Sequence, residues 1–251
     1  MNLDNSEVMV IRPHKTVYKC GDTVVKVFNE SHPKADVFNE ALNHARVEAT
    51  GLNISNILEV GRVDGKWALA IEYIEGETLA SLMKKNPEKL DEYVELFVNL
   101  QLEIHSKTSP RLNKLKDKLV MQIDSLKEEL DATTRYELHT RLDGMPKHTK
   151  VCHGDFNPSN VVINEKGAFV IDWSHATQGN ASADAAMTYL LFSLENEKLA
   201  EKYMELFCRK SDTARQYVQQ WLPIVAAAQM TKKKDSERKF LARWIDVIEY
   251  Q

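Results

Sequence analysis

The chain has 251 residues, 43% of them hydrophobic, enough for one large domain or two small lobes around a sizeable core. Lys and Arg number 33 against 37 Asp and Glu, a net charge of −4, so bulk charge draws the chain neither to nucleic acid nor to an acidic membrane, and the expected partner is a small molecule. Cys20, Cys152 and Cys208 lie far apart without CxxC spacing, which argues against a disulfide framework or a thiolate zinc site; with no apolar run long enough to span a bilayer and no leader-like start, the expected setting is the reducing cytoplasm.

Val8–Arg12, Thr16–Lys19 and Thr23–Phe28 are short and β-branched, and Cys20-Gly21-Asp22 between the last two predicts an antiparallel meander. A helix is expected from near Pro33, with Val37, Phe38, Ala41, Leu42 and Ala45 at helical spacing and Gly51 closing it. Ile57–Val63 and Trp67–Ile74 flank Asp64-Gly65, a hairpin dipeptide. After Glu75-Gly76-Glu77 the pattern turns helical: Leu79–Lys85, Asp91–His105 and one long helix from Leu112 to about Leu142. A strand at Lys150–Cys152 and a hairpin over Val161–Ile171 follow, and from Asp184 to Tyr250 the chain again reads as helical. This order implies an α+β architecture, a small antiparallel-sheet lobe over 1–74 before a larger, mostly helical lobe over 75–251, with chemistry in the seam.

The chemistry concentrates between His153 and Asp172. Val161–Asn164 and Ala168–Ile171 lie either side of Glu165-Lys166-Gly167, which predicts a hairpin centred on Lys166. In that register Asn164 faces Ala168 and Asn160 faces Asp172, about 4.5 to 5.5 Å apart between Cα atoms. A carboxylate and an amide carbonyl are hard oxygen donors, and two protein ligands with the other positions left to water or phosphate suit Mg²⁺. Asp155, in a loop bounded by Gly154 and Pro158, is the candidate base or orienter of a substrate hydroxyl. The bland alternative is a polar loop whose Asp155, Asn157 and Asn160 serve as turn residues.

His153, Gly154, Asp155 and Asn160, then a hairpin ending in Ile171, Asp172 and Trp173, resemble the catalytic loop and metal motif of the aminoglycoside-phosphotransferase and choline-kinase family. The resemblance runs from about Thr16 to Leu191 and implies a protein-kinase-like two-lobed fold. It further implies transfer of a phosphoryl group from ATP (or GTP), with Mg²⁺, to a hydroxyl of a small molecule such as an aminoglycoside, a choline-like amino alcohol or a sugar. By it Lys26 in TVVKVF matches the strand lysine that contacts the nucleotide phosphates, and Glu40 in VFNEAL matches the helix glutamate that pairs with it. Backbone groups around Glu72 to Ile74 match the segment that reads adenine. Asp155 takes the catalytic role, Asn160 and Asp172 hold the metal, and Asp184 is a structural aspartate, read as the cap of the following helix.

The residues leave some of this open. Lys26 is a lone charge in an apolar strand, costly without a partner, although an edge-strand lysine can also snorkel. Asp36, Glu40 and His44 would equally line a solvated helix face, and Glu48 rivals Glu40 as the lysine's partner. Where protein kinases carry a glycine-rich loop, Arg12-Pro13-His14-Lys15-Thr16 has no glycine, and Lys15 and Thr16 are the candidate phosphate contacts. Competing readings are a dinuclear hydrolase built on His153, Asp155, Asp172 and His175, a kinase-fold binding protein without turnover, and a protein kinase, against which stands the short stretch from Trp173 to Asp184. Acceptor choice is expected in the later helices, where Trp221, Trp244, Asp246 and Glu249 are candidates for a cationic pocket or, equally, core and solvated face.

Overall fold

The computed structural model describes residues 1 and 3–245. In chain order the elements are β1 (Glu7–Ile11), β2 (Lys15–Cys20), β3 (Thr23–Phe28), α1 (Lys34–Glu48), β4 (Ile57–Val63), β5 (Lys66–Glu72), β6 (Glu77–Thr78), α2 (Leu79–Lys85), α3 (Leu90–Ser106), α4 (Leu115–Ser125) and α5 (Ala132–Gly144). Then follow β7 (Lys150–Cys152), β8 (Val161–Asn164), β9 (Gly167–Val170), β10 (Thr177–Gly179), α6 (Ala181–Glu195), α7 (Glu197–Ser211), α8 (Arg215–Gln219), α9 (Leu222–Met230) and α10 (Asp235–Ile245). The fold is α+β, as expected, with an antiparallel sheet early in the chain and mostly helices later.

The elements gather into two compact units, Met1–Pro87 with Pro158–Ala176, and Glu88–Asn157 with the chain from Thr177 on. These units do not follow the linear boundary expected between 74 and 75. Strand β6 lies beyond that boundary yet pairs antiparallel with β8, which keeps the β8–β9 hairpin in the first unit.

In the first unit a five-stranded antiparallel sheet runs in the order β1-β2-β3-β5-β4. Asp64 and Gly65 both take positive φ, 47° and 81°, the conformation that a tight β4–β5 turn demands. Alternation along β3 sends Val25 and Val27 to one face, with Val63, Ala68 and Ala70, and Phe28 to the other, against Leu69, Ile71 and the α1 residues Val37 and Ala41. Lys26 shares the parity of Phe28 and therefore projects toward α1.

In the second unit Phe97 of α3 stacks on Phe156 at 4.2 Å between ring centroids and meets Phe192 and Tyr203 edge-on, so the core packs directly beneath the loop after β7. One helix expectation needs correction. The single helix over Leu112–Leu142 is two, because Leu126 buries itself and ends α4, and Asp131 restarts the chain by accepting the Thr134 N–H at 2.9 Å as an N-cap. From Asp184 the described chain is helical as expected, in successive helices: Asn196 ends α6 and caps α7, while Pro223 opens α9. Of the cysteines only Cys152 is fully buried; Cys20 and Cys208 are half-buried. No described helix is long and apolar enough to cross a membrane.

Candidate active site

In the first unit three charged side chains converge. Lys26 Nζ donates to Glu40 Oε1 at 2.7 Å and to Asp172 Oδ1 at 3.0 Å. Lys26 and Glu40 are each only 8% exposed, so Glu40 is not on a solvated helix face. Glu48 is not the partner either, since its carboxylate accepts the Ile57 N–H. His44 is also buried, its Nε2 2.6 Å from the Ser55 carbonyl oxygen. Burial works against the Lys26 ammonium, but Asp172 and Glu40 more than compensate and raise its pKa above the ordinary lysine range. Glu40 is likewise opposed by burial and held below the usual carboxylate range by Lys26 and Lys15. Lys15, at the start of β2, brings Nζ to 3.3 Å from both Glu40 oxygens and 5.5 Å from the Phe28 ring, so two lysines flank one glutamate.

The hairpin carrying Asp172 has a different register from the expected one. Asn164 pairs with Gly167 and Val161 with Val170, so the turn is Glu165-Lys166 alone. Gly167 joins the strand at φ 121°, and the Asn164 side chain closes the turn by accepting the Lys166 N–H at 2.9 Å. The Ile171 N–H therefore donates to the Asn160 carbonyl at 2.9 Å, and it is Ile171, not Asp172, that lies across from Asn160. Asp172 sits one residue further on in the left-handed region, φ 62°, which ends the strand and redirects its carboxylate. Lys26 holds that carboxylate far below the usual range against the opposing effect of burial, with Lys15 adding to the pull.

A divalent ion of the Mg²⁺ type fits this donor chemistry: the Asp172 carboxylate stays ionised, its side chain is 37% exposed, and Asn160 stands at the start of the same hairpin. Among the described residues no three His, Cys, Asp or Glu side chains gather as a metal site, so a bound ion would complete its shell with phosphate and water.

At the end of β5 the Glu72 N–H donates to the Asn56 carbonyl and its carboxylate accepts from the Asn56 side chain at 2.6 Å, while the Tyr73 N–H goes to Asp22. Both N–H groups are thus engaged within the sheet, and Ile74 is the half-buried residue beyond them.

In the second unit the loop after β7 is held from below. Asp184 accepts the Gly154 N–H at 2.7 Å, the His153 N–H at 3.2 Å and His105 Nε2 at 2.9 Å. It does not cap α6; Asn180 does, through Ser182 N–H, and Asp184 points inward from the first turn to the loop. Burial opposes its charge, and the His105 and Gly154 hydrogen bonds hold its pKa low nonetheless. The anchored loop presents Asp155, whose Oδ1 accepts from Lys232 Nζ at 3.0 Å.

Residues 4–221 match the model of the phosphotransferase enzyme family. The chain belongs to that family. Solved structures with the same fold include a thermostable mutant of aminoglycoside phosphotransferase APH(4)-Ia, at 15% identity and a TM-score of 0.73 over 97% of this chain and 93% of that one. A choline/ethanolamine kinase family protein from Mesorhizobium loti follows at 16% identity and 0.65, over 98% and 89%. ADP-bound aminoglycoside phosphotransferase APH(2'')-Ib gives 16% and 0.62, over 96% and 92%. No curated protein matches.

This phosphotransferase thus keeps the protein-kinase-like fold anticipated from the His153–Trp173 pattern. The geometry brings Lys26, Glu40 and Asp172 together, and it adds Lys15 as a second cation on Glu40. Lys232 was missed, because its pairing with Asp155 spans the whole later part of the unit and no local pattern marks it. Trp221 is fully buried and so belongs to the core rather than to a cationic pocket; Asp246 and Glu249 lie outside the described residues.

Proposed function

We propose that this phosphotransferase moves the γ-phosphoryl group of ATP (or GTP), with Mg²⁺, onto a hydroxyl of a small molecule, in a cytoplasmic setting. The observation that carries the reading is the buried Lys26, kept charged between Glu40 and Asp172. An ammonium so deeply buried is costly unless a function keeps it, and neutralising nucleotide phosphates is such a function. In this reading Glu40 positions Lys26, Lys15 and Thr16 contact phosphate, the backbone around Glu72 and Ile74 receives the adenine, and Asp155 orients or deprotonates the hydroxyl. Asn160 and Asp172 would hold Mg²⁺, which when bound neutralises phosphate charge. Support comes from a structure of APH(4)-Ia described as a ternary complex with AMP-PNP and hygromycin B, similar at 15% identity and a TM-score of 0.71. Candidate acceptors are aminoglycosides, amino alcohols of the choline kind and sugars.

Asp155→Asn keeps the loop's shape and removes only the carboxylate's charge and basicity. Turnover measured by ADP release is expected to fall by roughly two orders of magnitude or more, while calorimetric Mg-ATP affinity changes little. Wild-type turnover in the variant would remove Asp155 from the mechanism.

A further inference from the structure

In the interior of α6, among Ala185, Ala186, Tyr189 and Leu190, Thr188 is a buried polar residue. A valine would match its shape, and a buried hydroxyl is costly unless it is hydrogen-bonded. The hydroxyl of a helical threonine commonly returns to the carbonyl four residues back. Here it donates instead to the Phe156 carbonyl at 3.1 Å, in the loop after β7. Phe156 follows Asp155, and Asp184, one helical turn before Thr188, accepts the His153 and Gly154 N–H groups on the other side of that residue. Four helical residues rise about 6 Å, a distance that the backbone from Gly154 to Phe156 can span. One face of α6 therefore grips the chain both before and after Asp155.

The Thr188 hydroxyl has one proton, and a second buried group fixes where it points. Gln101 of α3 donates from Nε2 to Thr188 Oγ1 at 3.0 Å, which leaves the Thr188 proton for Phe156. Gln101 Nε2 also lies 3.5 Å from Asp184 Oδ2, so turning the amide over would set its oxygen against a carboxylate. Gln101 Oε1 in turn accepts the Tyr203 hydroxyl of α7 at 2.5 Å, with the Ala185 carbonyl at 3.4 Å as that hydroxyl's weaker second acceptor. Gln101 and Tyr203 are both fully buried. The donors thus run in one direction, from α7 through α3 and α6 to the loop.

We propose that Thr188 is a positioning residue for Asp155: it fixes the backbone after the carboxylate, while Gln101 and Tyr203 keep its proton directed at the loop. The inference rests on the phosphotransferase reading above, in which Asp155 orients or deprotonates the acceptor hydroxyl. Thr188 bonds the loop's backbone and acts through Asp155. Without its hydroxyl the Phe156 carbonyl is released and the loop keeps only its Asp184 anchor on this helix. A displacement of about 1 Å at a reacting group costs on the order of 100-fold in rate, so the loss falls on kcat rather than on nucleotide affinity.

The full-length protein with Mg-ATP should be assayed for ADP release with hygromycin B, choline, glucose and water as acceptors, and the variants compared on the fastest of these at a temperature where circular dichroism shows each one folded. Thr188→Val should lower kcat roughly 10- to 100-fold with KM for Mg-ATP unchanged, and Thr188→Ser, which keeps the hydroxyl, should restore most of the rate. Tyr203→Phe should lower kcat about 2- to 10-fold, the worth of one neutral hydrogen bond, and should have little further effect once Thr188→Val is present. A role in stability alone would lower the denaturant midpoints and leave every folded variant at the wild-type kcat. That result overturns the inference and leaves the phosphotransferase reading standing. Should Thr188→Val fail to fold, Tyr203→Phe decides by the same comparison of kcat. No ADP release from the wild type with any acceptor overturns both.

Discussion

Lys26 illustrates how a residue that is unfavourable alone becomes fixed by its partners. Inside β3 its ammonium is largely removed from solvent, and Glu40 and Asp172 supply the compensation. Both carboxylates have folded pKa values below their ordinary ones, so their stabilising contribution is complete above the unfolded value and is lost as pH falls. Glu40→Gln removes one such group. Chemical denaturation is therefore expected to show wild-type stability dropping more steeply than that of the variant between about pH 5 and pH 3. Equal slopes would contradict the ion cluster. Asp172 allows a second test at this scale, because its left-handed φ of 62° suits Asp, Asn and Gly but not Ala. Asp172→Asn should unfold near the wild-type midpoint once the lost charge is considered, while Asp172→Ala should carry about 1 kcal/mol of additional strain.

At the scale of elements, those with a local period were readable from the residues. Strands β2 to β5, helices α1 to α3 and the β8–β9 hairpin follow from alternation, helical spacing and turn residues. What escaped depends on distant partners or on one residue's conformation. Strands β6 and β10 are two and three residues long and exist only because β8 and β7 lie alongside. The hairpin register was off by one because Gly167, with its positive φ, serves as a strand residue rather than a turn residue. Asp184 looked like a cap because Asp caps helices, and only the folded loop reveals that its carboxylate holds Gly154. The β6–β8 junction is tight: a Cβ on Gly76, at φ 155°, would stand 2.5 Å from the Ile163 carbonyl oxygen and 2.9 Å from Val162 Cγ1. Gly76→Ala should consequently lower the unfolding free energy by about 1 to 3 kcal/mol, measurable as a shifted denaturant midpoint without change in slope.

For the molecule as a whole, the family and the α+β fold were legible in the His153–Trp173 motif and in the order of strands and helices, and the Lys26–Glu40 pairing was implied by the resemblance, whereas the meeting of Lys26 with Asp172 joins residues 146 apart and was not foreseen. The environment of Asp155 was not, since Lys232, which meets it, lies 77 residues further on, just past α9. The central claim is that phosphate leaves ATP for a carbon-bound hydroxyl, and ³¹P NMR of the protein with Mg-ATP and a responding acceptor tests it most directly. The prediction is a new phosphomonoester resonance growing in step with ADP, abolished in Asp155→Asn. ADP and inorganic phosphate as the only new signals, with or without acceptor, would contradict it.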